Sequence, residues 1–547
     1  MEIYWLIPVS VLIGAALLIF TGRRTGAGIG SAWFIALFAA LAVWGWTGSL
    51  RFWAPPLVSG ESVSYSYSVN FSTLQVSAET GTAALPFVLD STSWPYMQAL
   101  SALLLILLTA APSYLEAQIA PKTWGFFLLI EAIGYLAVSA NGVQPLIYCW
   151  ALFDIIDFVT QYLHSRPNPF RKSTLTAIGV RFIGTLLAAA ALALSATDIE
   201  LTGDNVVSPT GGIFLLIACA LRMGILPITQ PYAEMDNSRV GLGTMLRLVS
   251  LLTVMPILGR VPLMLLAPRV AVVLSIAVGI AALVGALGWI LSTDIRAGAT
   301  YAALAISGMA FACTLRSQQH ALIVWGISIV LTCAPLSLYR IHNGIMDVLA
   351  VLLVVCFSGL PYTPNAIGWF GLISEPFSTM DLIFILVPML IIAGTYIHIL
   401  RTESKKFTDL EPWMRTMYPL GFIIAIGTHI FISMTNWDSL YSIGNQYASC
   451  AAFLGGLLIA YLTTSIPKQS RAQNLLTWGR EGVTLFWRVM KQVLDMEWLT
   501  DAFAAFGRVL RRILDAFSSV LEFPGGQVWE FLLLALILTV AFAGGAS

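Results

Sequence analysis

Apolar residues run along this chain in blocks of about 20, the length that carries an α-helix across the hydrocarbon of a bilayer, and polar residues gather between the blocks. Such blocks cover residues 3 to 20, 31 to 49, 96 to 112, 122 to 140, 143 to 163, 174 to 195, 211 to 230 and 240 to 258. They continue over 270 to 291, 297 to 315, 319 to 338, 345 to 379 with an interruption, 381 to 400, 416 to 434, 446 to 466 and 526 to 543. The pattern predicts an all-α polytopic membrane protein with about sixteen transmembrane helices.

Two stretches follow other periods. From Ser62 to Ser72, Val63, Tyr65, Tyr67, Val69 and Phe71 alternate with serine or asparagine, the period of a half-buried strand, which predicts a β-hairpin on the outer face over about 61 to 90. Near the end, Leu499, Phe503, Phe506, Leu510, Ile513, Phe517 and Val520 recur at steps of four and three, opposite Asp501, Arg508, Arg511, Arg512 and Asp515. That spacing predicts a long amphipathic helix over about 473 to 522, lying laterally along the cytoplasmic surface against lipid or a partner.

Composition narrows the class. Of 547 residues, 58% are hydrophobic and only 10% charged, which excludes an ordinary soluble enzyme, since soluble domains carry about 25% charged residues. Net charge is zero, so nothing points to nucleic acid. Met1 to Phe20 is apolar from the start and Arg23 and Arg24 follow it, the arrangement of a first span and not of a cleavable leader. Lysine and arginine recur in alternate loops, at Arg23, Arg24, Lys122, Arg166, Arg171, Lys172, Arg296, Arg340, Lys405, Lys406, Lys468 and Arg471. Basic loops stay in the cytoplasm, so both termini are expected on the outer face of the cell (inner) membrane. Only the loop with Arg260 and Arg269 runs against the rule.

Pro227 and Pro361 interrupt two of the apolar runs, in GILPITQP and SGLPYTPNAIG. Broken helices are tolerated where backbone lines a polar cavity or is buried in protein, and a pair of them points to a transporter core.

Three segments together carry a resemblance. LSTDIRAGATYAALAISGM, GLPYTPNAIGW and ALRMGILP are similar, in order and spacing, to motifs of the antiporter-like membrane subunits shared by respiratory complex I, Mrp-type cation/proton antiporters and membrane-bound hydrogenases. The resemblance covers roughly residues 85 to 400. It implies two inverted five-helix repeats, each with a broken helix and a proton half-channel. The chain then divides into two spans plus the outer hairpin (1–95), a first repeat (96–260), a second repeat (261–400), additional spans (401–471), the lateral helix (472–525) and a terminal span (526–547).

The resemblance also implies intramembrane lysines and a glutamate that relay protons, and these are missing. Matched residue by residue, the glutamate becomes Ala151 beside Trp150, the lysine before the first break becomes Arg222, and the eighth-span basic position meets Arg247. In the second repeat the lysines become Val324, counted from His320, and Trp369, counted from Gly359. Arginine does not release its proton in proteins and cannot serve as a relay.

Acids remain at mid-span: Glu131 in the fourth run, Asp154 in the fifth, and Asp157 on the same helical face as Asp154. A charge at that depth costs about 2.5 to 3.5 kcal/mol and must face protein or water. With Arg222 and Arg247 at similar depth, two readings stand. One is a rewired half-channel in which Asp154 exchanges protons, with Asp157, Glu131 and His320 as further pathway candidates. The other is a static, mutually neutralising ion network.

His398 and His429 have no second ligand at helical spacing and read as packed or hydrogen-bonded histidines, and the six cysteines stand singly in apolar runs. No metal, cofactor or catalytic constellation is expected. The function implied is an antiporter-like subunit of a multi-subunit, proton-coupled ion-translocating complex with an altered or lost proton path. Its partners would be other integral membrane subunits, a peripheral subunit, lipids, and protons or another small cation. The alternatives are a structural membrane scaffold and a stand-alone secondary transporter.

Overall fold

The computed structural model describes residues 6–22, 29–53, 87, 89–111, 121–164, 172–194, 209–228, 241–260, 268–292, 295–339, 341–373, 378–401, 405–406, 411–434, 446–465 and four isolated positions between 505 and 512. The expected hairpin (apart from Phe87, Leu89 and Asp90), nearly all of the lateral helix and the terminal run at 526 to 543 lie outside the described residues. Residues 1–494 form one compact unit and 495–547 a second.

The first unit is helical. In order come α1 (Leu6–Gly22), α2 (Ile29–Trp53), α3 (Ser93–Ala110), α4 (Pro121–Ser139), α5 (Val143–His164), α6 (Lys172–Ala193), α7 (Pro209–Arg222), α8 (Leu242–Leu252) and α9 (Met255–Arg260). Then follow α10 (Pro268–Leu291), α11 (Ile295–Leu315), α12 (Gln319–Leu338), α13 (Gly344–Ser358), α14 (Gly368–Leu372), α15 (Thr379–Arg401), α16 (Pro412–Met434) and α17 (Gln446–Ser465). Two residue pairs, Ile341 with Lys405 and His342 with Lys406, make a short parallel bridge between β1 (Ile341–His342) and β2 (Lys405–Lys406).

Among the described residues, eleven helical segments are long and apolar enough to cross a membrane. Four shorter apolar helices, Leu6–Gly22, Ala177–Ala193, Thr210–Arg222 and Gly344–Ser358, also fall on expected runs. The run at 240 to 258 departs from a single continuous helix, since α8 and α9 are separated by a turn at Thr253 and Val254.

Burial separates core from rim. The whole of α3, and α12 from Ala321 onward, is buried, in keeping with their largely apolar sequences. Leu18, Phe38, Val273 and Leu454 instead point outward from α1, α2, α10 and α17. Apolar surface of that extent suits lipid, where helices satisfy their own backbone groups.

Polar caps fix the helix ends. Asp90 Oδ1 accepts the backbone N–H groups of Thr92 and Ser93 at 3.1 and 2.7 Å, meeting donors that the start of α3 leaves open. Its Oδ2 takes Arg260 Nη2 at 2.7 Å, and Arg260 Nη1 donates to the Ala140 carbonyl at 2.7 Å. The arginine that broke the charge rule is thus neutralised locally by an acid brought from another loop. At the far end of the chain's core, Arg316 Nη2 reaches Asp381 Oδ1 at 2.7 Å while Ser378 N–H donates to Asp381 Oδ2 at 2.7 Å, tying the end of α11 to the start of α15.

Candidate functional site: a buried ion lattice and two broken helices

Three neighbouring helices build the first site. Asp154 and Asp157 stand three residues apart on α5, so one face carries both. Arg181 and Thr185, four apart, share a face of α6, and Arg222 is the last residue of α7. A cation at a helix C-terminus meets the negative end of the backbone dipole. The chain beyond Arg222 leaves the helix in a tight turn, in which Ile225 and Leu226 donate to the Ala220 carbonyl at 2.9 and 3.2 Å before Pro227.

The pairing is specific. Arg222 Nη1 donates to Asp154 Oδ2 at 2.8 Å and Nη2 to Oδ1 at 3.1 Å, a bidentate grip. Thr185 joins it, accepting from Arg222 Nη1 at 2.7 Å and donating to Asp154 Oδ2 at 3.1 Å. One turn away Arg181 Nη2 pairs with Asp157 Oδ2. All four charged side chains are at most 5% exposed. The Arg222 guanidinium also lies 4.5 Å from the Trp150 ring centroid, and Trp150 Nε1 donates to Thr253 Oγ1 at 3.2 Å in the turn between α8 and α9. A side chain at Gly184 would come within 3.0 Å of Arg222 Cγ, so the glycine lets α6 and α7 close on the arginine.

Of the other candidate residues, Arg247 lies near Cys333 of α12. His320 is exposed in the first turn of α12, apart from the buried lattice. Glu131 is fully buried on α4, and neither carboxylate oxygen has a hydrogen-bond partner. Sequence reasoning missed Arg181 and Thr185. The arginine alone was findable, as an ionisable residue inside the apolar run TAIGVRFIG.

The second break is held by neutral groups. The C-cap of α13 is Gly359, in the left-handed region at φ +69°. A side chain there would sit 2.2 Å from Trp369 Nε1, so both conformation and space require glycine. Trp369 donates to the Ser358 carbonyl at 3.1 Å, and Trp325 to the Gly368 carbonyl at 2.8 Å. Asn365, within the break, donates to the Phe357 carbonyl at 3.0 Å. Its Oδ1 meets Ser328 Oγ at 2.7 Å and His429 Nε2 at 3.0 Å. Orphan backbone groups freed by Pro361 are therefore met by indole, amide and hydroxyl donors, with Val324 and Trp369 filling the core beside them.

With this geometry in view, the comparisons with known proteins decide the fold. The chain superposes on a chain of the Mrp complex from Dietzia sp. DQ12-45-1b with TM-score 0.64 and 13% identity, over 99% of its own length and 63% of that chain. It matches a chain of the membrane-bound sulfane sulfur reductase, an archaeal respiratory membrane complex, with TM-score 0.66 and 14% identity, over 98% of its own length and 99% of the other.

The chain shares its fold with these two membrane-complex chains. The chain spans less than two thirds of the matched Mrp chain. No protein-family model and no curated protein matches it. That shared fold and the eleven long apolar helical segments among the described residues are those of a multi-pass membrane protein. On this fold Asp154, Arg222, Asp157 and Arg181 form two salt bridges where the sequence resemblance implies a glutamate and lysine relay.

Proposed function

We propose that this chain is an antiporter-like membrane subunit of a multi-subunit, proton-coupled ion-translocating complex, seated in the inner membrane with both termini outside. Its first-repeat charges act as a static lattice, and protons follow an altered route. The observation that carries the reading is the bidentate Asp154–Arg222 pair, set on an antiporter-like fold. A carboxylate held on both oxygens by a guanidinium, with Thr185 as a third partner, is fixed in place. Arginine does not release its proton in proteins, so it does not replace the lysine of a relay.

The second repeat supports the same reading, because its break is braced by Trp325, Trp369 and Asn365 and not by lysines. The lateral helix expected over about 473 to 522 would brace neighbouring subunits. The test is to purify the full-length chain from its native membrane in lipid nanodiscs. The proposal expects a particle heavier than one chain, containing other multi-spanning subunits at fixed stoichiometry, that moves protons when reconstituted. A lone chain that exchanges cations for protons by itself would favour the stand-alone transporter instead.

A further inference from the structure

A titratable side chain touches the second break from outside it. His429 lies on α16, fully buried, and its Nε2 stands 3.0 Å from Asn365 Oδ1 and 3.3 Å from Ser328 Oγ of α12. The residue before it, Thr428, takes the Trp44 indole N–H of α2 at 3.2 Å, so α2 grips α16 at the same level.

The network fixes where the protons sit. Asn365 Nδ2 donates to the Phe357 carbonyl at 3.0 Å, which leaves Oδ1 as the amide atom facing His429, and an amide oxygen only accepts. Nε2 therefore carries the ring proton. In a neutral ring Nδ1 is then bare, and that atom is buried with no hydrogen-bond partner among the described residues. Ser328 Oγ lies 2.7 Å from both Asn365 Oδ1 and the Val324 carbonyl, so its single proton cannot serve both at once. Asn365 thus depends on the histidine for its second donor.

α16 packs against α3, α12 and α13. The charged and titratable side chains described there are Tyr96 on α3, His320, Cys333 and the capping Tyr339 on α12, and Asp347 and Cys356 on α13. Arg51 of α2, Tyr362 of the break, and Arg415 and Tyr418 of α16 itself complete the set. None of them bonds to His429, so no carboxylate among the described residues stands ready to accept a second ring proton.

From this we infer that His429 is a pH-sensitive latch on the second break: the neutral ring holds Asn365, and through it the end of α13, and a proton on Nδ1 releases them. Protonation adds a charge and a donor without an acceptor to a buried position, which is favourable only if the break moves and water reaches the ring. The open arrangement therefore binds one proton more than the closed one, and a fall in pH favours it. The inference stands apart from the proposed proton-coupled role, since the latch needs no flux through the chain.

The test is hydrogen exchange, read by mass spectrometry on the intact chain in lipid nanodiscs at about pH 8 and about pH 5, the span over which imidazole changes charge. After correction for the intrinsic pH dependence of exchange, the amides of 357–369 should exchange at least about 10-fold faster at the acid end, while those of the buried helix α3 keep their rates. His429→Gln keeps an amide N–H for Asn365 and cannot titrate, so its break should exchange alike at both pH values. Ser328→Ala leaves the histidine in place without its companion hydroxyl and should open at a higher pH than the unsubstituted chain, which carries the test if His429→Gln does not fold. A break with the same corrected rate at both pH values, one that opens equally in His429→Gln, or an unshifted opening in Ser328→Ala overturns the inference.

Discussion

Arg222 holds both carboxylate oxygens of Asp154, at 2.8 and 3.1 Å, from the last residue of a helix that stops there. The contact joins α5 to α7 through a pair that has almost no access to solvent. Removing one partner strands the other charge, at about 3 to 5 kcal/mol. Asp154→Asn should therefore lower the thermal midpoint of the purified chain sharply and reduce its yield from membranes. An unchanged melting curve would show that the arginine finds another partner.

Gly359 offers a purely conformational test. Its φ of +69° and the 2.2 Å approach of Trp369 Nε1 leave no room for a methyl group. Gly359→Ala should cost about 1 to 3 kcal/mol. Gly344→Ala, at a position with nothing within 4 Å, serves as the control and should cost far less. Equal losses in the two variants would argue against the tight packing of the second break.

Trp369 fills a place where the resemblance implies a lysine. Its indole N–H satisfies the Ser358 carbonyl at 3.1 Å, so Trp369→Phe leaves that carbonyl unmet at about 1 to 3 kcal/mol. Proton flux per folded molecule in proteoliposomes should stay at the level of the unsubstituted protein. A large drop in flux, after correction for folded protein, would place a conducting path through the second break.

The lateral helix expected near the C-terminal end carries Phe503, Phe506 and Phe517 on its apolar stripe and few lysines opposite. A helix that lay on lipid alone would carry more lysine on its polar face. Cysteines placed at Leu510 and Phe517 should crosslink to another subunit or to the chain's own spans. Labelling by lipid probes without protein crosslinks would contradict that expectation.

How much of this was readable from the sequence follows from the physics of each feature. Spans are written in blocks because lipid demands about 20 apolar residues in a row, so the described helices fall on expected runs. Asp154, Asp157 and Arg222 were conspicuous because charges are rare inside such blocks, and the same logic applied to Arg181 would have completed the lattice. The pairing itself was not legible. Arg222 and Asp154 lie 68 residues apart, and only the packing of α5, α6 and α7 brings them together. For Arg247 the depth in a span was readable, but its nearness to Cys333 of α12 was not. The bond from His429 to Asn365 crosses 64 residues, and nothing in either local sequence announces it.

The central claim is that the Asp154–Arg222 ion pair is structural and that protons travel by another route. The most direct measurement is proton uptake by proteoliposomes holding the assembled complex with the charge-neutral pair Asp154→Asn and Arg222→Met. Exchanging both charges removes the stranded partner, so assembly should recover relative to Asp154→Asn alone. The account predicts normal assembly with uptake close to that of the unsubstituted complex. Normal assembly with uptake abolished would place Asp154 and Arg222 in the proton path and contradict it.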